Sequence, residues 1–118
     1  METLTQDNKE ALEIFVKCTD LLKMDTFSKS DPRAVIYFKQ AGGNWVEVGK
    51  TEVQDGTLAP NFKTPIKVFY VFQAKQEIKL VIEDDDGSNK FQEIGSVITD
   101  IATLVTSPRS TLDLEIKT

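Results

Sequence analysis

Apolar residues in this chain recur at every second position, and that period constrains the fold more than any other feature of the sequence. Leu12, Ile14, Val16 and Cys18 share one parity, while Glu13, Lys17 and Thr19 fall on the other. A helix gathers residues three and four apart onto one face, whereas a strand gathers i, i+2 and i+4. Ala34-Ile36-Phe38, Ile66-Val68-Tyr70, Ile78-Leu80-Ile82 and Leu112-Leu114-Ile116 repeat the pattern, Val46 and Val48 open a shorter strand, and residues 94–99 form another. The spacing predicts seven strands, at about 11–18, 33–40, 45–53, 62–72, 77–84, 93–99 and 110–116. Between them lie Ser28-Lys29-Ser30-Asp31-Pro32, Gly42-Gly43-Asn44, Asp55-Gly56 and Asp86-Gly87-Ser88-Asn89, all rich in turn formers. Short strands at such intervals describe an all-β, antiparallel β-sandwich. One helical turn is expected, with Asp100 capping Ile101 to Val105 before Pro108 stops it.

At 118 residues the chain is one domain's worth, with a polar lead at 1–10 and the sandwich over 11–118. There is one cysteine, Cys18, and no histidine. An intrachain disulfide, a cysteine zinc site, Ser-His and Cys-His nucleophiles and histidine-based metal sites are thereby excluded. A net charge of −5 disfavours nucleic acid, whose phosphates require a basic surface. No apolar run approaches the roughly 20 residues of a membrane-spanning helix, and the acidic start is not a secretory signal. No asparagine carries Ser or Thr two positions on, so a reduced, cytoplasmic protein is expected.

The chemistry concentrates in carboxylates. Glu83-Asp84-Asp85-Asp86 places four in succession at the end of an apolar strand, and Asp25 and Asp31 lie in an earlier loop. Unit charges a few ångströms apart cost about 1 kcal/mol per pair even in water, so such a run needs a reason. Solvated turns rich in Asp, Gly, Ser and Asn are one reason. The other is a calcium site, since several hard oxygen ligands on loops are what that ion takes. It requires both loops to leave the same end of the sandwich. On an extended strand end, Asp84 and Asp86 would point together and Asp85 away. An EF-hand alignment on Gly87 and Glu93 puts Ile82 at the first ligand position and strands where helices belong, so it fails.

Met24-Asp25 with Ser28-Lys29-Ser30-Asp31-Pro32, Thr51 with Thr57-Leu58-Ala59-Pro60-Asn61-Phe62, and Ile82-Glu83-Asp84-Asp85-Asp86 with Ile94-Gly95 together resemble the C2 domain family. Residues 42–52 and the aromatic run Phe69-Tyr70-Val71-Phe72 narrow the resemblance to the first C2 domain of a copine. It implies calcium ligands at Asp25, Asp31, Asp84 and Asp86, helped by the backbone carbonyls of Met24 and Asp85. The family's fifth acidic ligand falls on Gln92 here, so either Gln92 offers a neutral oxygen or a one-residue shift brings in Glu93. The resemblance also implies a permuted (type II) sandwich whose eighth strand follows 110–116, beyond Thr118. The edge that strand would cover is then expected bare, or filled by Thr3 to Asp7 or a neighbouring molecule.

The functional expectation is calcium-dependent attachment to anionic phospholipid. Phe27 and Phe91, beside Lys29 and Lys90, are the expected membrane contacts, and recruitment to membranes would follow a rise in calcium. Lys63 and Lys67 share a parity, but Lys50 shares its face with Glu52, so a basic inositol-lipid patch is diluted. Trp45 is expected to pack at its turn. The alternative is a calcium-independent sandwich that binds a protein, including partners met through a longer parent protein. Enzymatic function is not expected, because the aspartates have no base partner and no Asp-Thr-Gly or Asp-Ser-Gly signature.

Overall fold

The computed structural model describes residues 9–23 and 29–118. Met24, Asp25, Phe27 and the edge-filling segment Thr3 to Asp7 lie outside the described residues. Among the described residues, six strands form two antiparallel sheets: β1 (Lys9–Ile14), β2 (Pro32–Lys39), β3 (Trp45–Lys50), β4 (Ile66–Val71), β5 (Glu77–Asp85) and β6 (Phe91–Asp100). One sheet has the order β3-β2-β5-β6 and the other pairs β1 with β4.

The alternation read from the sequence decides which side chains meet between the sheets. Ile36 of β2, Ile78 of β5 and Ile66 and Val68 of β4 form one buried cluster, closed by Ile101. A second cluster, nearer the loops, joins Val16, Leu21, Ala34, Phe62, Ile82 and Ile94. Fully burying an Ile or Phe side chain contributes about 1.5–3 kcal/mol, so these residues supply much of what orders the sandwich. Asp100 caps α1 (Ile101–Thr106) by accepting a hydrogen bond from the Thr103 N–H at 2.7 Å, as the sequence suggests.

Several strands differ from their expected extents. β1 stops at Ile14, although the chain stays alongside 58–62 through Phe62 N–H to the Val16 carbonyl (3.1 Å) and Cys18 N–H to the Pro60 carbonyl (2.9 Å). β4 begins at Ile66 rather than near 62, and β3 ends at Lys50 rather than 53.

The expected strand at 110–116 does not form. Residues Pro108–Ser110 make a 3-10 turn with Arg109 left-handed, and the following segment bridges β6 only at Ser96–Lys117. Alternation supplies a face but not a ladder partner, and a strand needs both. Ile116 still reaches the core, while Leu114 remains 43% exposed. Gly95 permits even this contact, since a Cβ there would come within 2.9 Å of the Lys117 carbonyl oxygen. Among the described residues β1 pairs with β4 alone.

Candidate functional site

The antiparallel register of β2 and β5 sets Pro32 opposite Asp84, so the two acidic loops leave the same end of the sandwich. Asp31 ties three connections together there. Its N–H donates to Asp84 Oδ1 at 2.8 Å, its carbonyl accepts from Asp85 N–H at 3.0 Å, and its Oδ1 accepts from Gly56 N–H at 2.7 Å. Pro32 fixes the direction in which Asp31 enters the strand. Asp84 is 5% exposed, and among the described residues no hydrogen bond occupies the remaining carboxylate oxygen of Asp31 or Asp84. Next to them the Ser30 hydroxyl is buried with no partner among the described residues.

The β5–β6 turn is tight. Asp85 Oδ1 accepts from Gly87 N–H (2.8 Å), Asp86 N–H donates to the Lys90 carbonyl (2.8 Å), and Lys90 N–H donates to the Gly87 carbonyl (3.0 Å). Gly87, Ser88 and Asn89 are all left-handed, with φ of 83°, 55° and 60°. Glycine takes that conformation without strain, and asparagine more readily than most residues. Because β5 ends at Asp85, Asp86 stands past the pleat and exposed. Lys29 and Lys90 are exposed at the same end. Phe91 is only half-buried, with the Arg33 guanidinium 3.4 Å from its ring centre.

A bulge decides which side chain faces Asp84. Ile82 pairs with Gly95, but beyond the shift Glu83 pairs with Glu93 and Asp84 with Gln92. Regular pairing would have set Glu93 opposite Asp84. One extra residue on β6 reverses both faces, as any one-residue slip does.

Among the described residues, no group of three acidic side chains stands close enough to hold a metal ion. The donor chemistry nevertheless fits a hard cation: carboxylate oxygens from the loop before β2 and from the end of β5, with an oxygen of both Asp31 and Asp84 lacking a donor among the described residues. Asp25 and the Met24 carbonyl lie outside the described residues.

Two residues that matter here were not singled out as site residues from the sequence. Arg33 bonds Glu83 through Nε and Nη2, each 2.7 Å from Oε1. Glu52 accepts from the N–H groups of Lys63 (2.8 Å) and Thr64 (3.1 Å) and from Gln54 Nε2 (2.9 Å). Burial pushes the Glu52 carboxyl up, but these donors outweigh it and hold its pKa at about 2. Glu52 is therefore a brace for the chain entering β4. Trp45 is half-buried at the start of β3, with Lys79 Nζ 5.0 Å from its ring centre.

The C2 domain family model matches residues 11–115, and the chain belongs to that family. It is 38% identical over 107 residues to Copine-A of Dictyostelium discoideum, covering 91% of this chain and 18% of that protein. Copine-D of the same organism is 37% identical over 108 residues, covering 85% and 20%. The chain thus spans about a fifth of the length of these relatives. The solved structure of BON1-C2B superposes with a TM-score of 0.64 at 31% identity, covering 82% of this chain and 68% of that one. The expected family, and its likeness to copines, are both met. Among the described residues, no helix is long and apolar enough to cross a membrane.

Proposed function

We propose that this chain is a calcium-regulated module that attaches to anionic phospholipid membranes. The observation that carries this reading is the Asp31–Asp84 junction, where the Asp31 N–H bonds the Asp84 carboxylate and, among the described residues, each of the two acids keeps an oxygen without a donor. Asp25, Asp31, Asp84 and Asp86 would hold the ion with the backbone carbonyls of Met24 and Asp85. Gln92, opposite Asp84, would add a neutral oxygen, whereas Glu93 faces Glu83. Calcium bound there supplies open coordination positions for lipid phosphate oxygens and, in two ions, enough charge to cancel four of the chain's five net negative charges. Without it the acidic end repels anionic lipid. Lys29 and Lys90 meet headgroups, while Phe27 and Phe91 enter the interface. One buried Phe contributes about 1.5–3 kcal/mol, so two alone give only reversible attachment. The protein would move between cytoplasm and membrane as calcium rises.

Calorimetric calcium titration followed by sedimentation with phosphatidylserine vesicles tests this. Calcium-dependent sedimentation, weakened by Phe27→Ala with solution calcium affinity retained, supports the assignment. The neutral Gln92 opposite Asp84 favours a second reading, a calcium-independent protein-binding sandwich, because hard-cation affinity follows ligand charge. Absence of calcium heat and of vesicle binding would favour it.

A further inference from the structure

We infer that Arg33 is a latch that joins the two stems of the acidic β5–β6 turn, and thereby a positioning residue for Asp84 and Gln92. Its guanidinium grips Glu83 on one stem with two 2.7 Å contacts and covers Phe91 on the other at 3.4 Å. The Arg33 and Glu83 side chains are 18% and 15% exposed, which protects their interaction from solvent screening. Glu83 immediately precedes Asp84, and Phe91 immediately precedes Gln92. The clamp sits on the turn side of the bulge that shifts the β5–β6 ladder after Ile82, so side chains restrain the short stretch of ladder between bulge and turn. Only arginine combines a planar fork for the carboxylate with a flat cation for the ring. The latch itself needs no metal; its effect on calcium rests on the function proposed above.

Electrostatics and positioning predict opposite signs. Arg33 is a cation at the acidic end, so removing its charge alone would strengthen calcium binding. Losing the latch would weaken it. The test compares Arg33→Gln, which loses charge and latch, with Arg33→Lys, which keeps charge and loses the fork. Phe91→Leu provides a milder break, and Lys79→Gln is a control for loss of a cation on the same sheet. Hydrogen exchange of the calcium-free protein should show the Asp86 and Lys90 amides opening about tenfold faster in both Arg33 variants, with exchange in β2 and β5 unchanged. Calcium affinity should fall about tenfold in both, the usual cost of losing a group that orients ligands. Unchanged turn exchange, or exchange faster everywhere alike, overturns the latch. Faster turn exchange with unchanged calcium affinity, or tighter calcium binding in Arg33→Gln, overturns the positioning role. If the parent chain binds no calcium, the calcium reading and the positioning role both fail, and the exchange measurement still decides the latch.

Discussion

Glu52, on the β3–β4 connection, and Asp84, near the end of β5, are carboxylates at the same end of the sandwich, yet their oxygens are used in opposite ways. Both oxygens of Glu52 accept hydrogen bonds, from two backbone N–H groups and an amide side chain. Asp84 uses Oδ1 for the Asp31 N–H, and the described residues offer no donor to its other oxygen. The β3–β4 connection therefore gains order from its acid, whereas the acid at the β5 end keeps an oxygen without a donor among the described residues. An acidic loop has capacity for a ligand only where oxygens are left uncommitted. Residue type does not reveal which case applies.

Neutralising each acid should break the comparison most sharply. Asp84→Asn keeps an acceptor for the Asp31 N–H but removes ligand charge, so calcium affinity should fall at least tenfold, about 1.4 kcal/mol, by calorimetry. Melting of the calcium-free protein should be unchanged or slightly raised, as repulsion is relieved. Glu52→Ala should do the reverse: about 1–2 kcal/mol of stability lost on denaturant titration, from stranding N–H groups, with calcium affinity unchanged.

Acid gives the same contrast in milder form. The Glu52 carboxyl is depressed from 4.5 to about 2 on folding, so its contribution is present above pH 4.5 and is lost as pH falls toward 2. Glu52→Gln should therefore flatten the stability profile within that window and leave it parallel to the parent above it. A profile of unchanged slope below pH 4.5 would show that the carboxylate does not brace β4.

Much of the fold was legible because burial obeys a period of two. Leu12, Ile14, Ile36, Ile66, Val68, Ile78 and Ile82 all face inward as their parity requires. The capped turn after Asp100 was legible too, because cap chemistry is local. The 110–116 segment was not, since its alternation is as regular as any but its pairing depends on a neighbour that local sequence does not encode. At the site, Asp31 and Asp84 stood out as candidates, but their common end was only a condition, which the β2–β5 register meets. The Arg33–Glu83–Phe91 contact did not, because it joins residues 50 and 58 positions apart on three strands. The bulge after Ile82 left no pattern that separates Gln92 from Glu93.

That bulge allows the smallest but most specific change to sharpen the comparison. Gln92 stands opposite Asp84, whereas Glu93 stands opposite Glu83, on the face that carries Arg33. Gln92→Asp would add a carboxylate on the Asp84 side and turn a neutral donor into a charged one. Calcium affinity should rise about three- to tenfold, up to 1.4 kcal/mol, because hard-cation sites strengthen with ligand charge. The calcium-free protein should lose a few tenths of a kcal/mol, the scale of an exposed like-charge contact. Glu93→Gln removes the same charge on the other face and should shift calcium affinity much less, through long-range field alone. Calorimetric titration of the two variants side by side decides between the registers. A gain from Gln92→Asp with little change in Glu93→Gln agrees with the bulged pairing. A large loss in Glu93→Gln would mean that the strand slips by one residue when calcium binds, bringing the native acid to Asp84 and the glutamine to the Arg33 face.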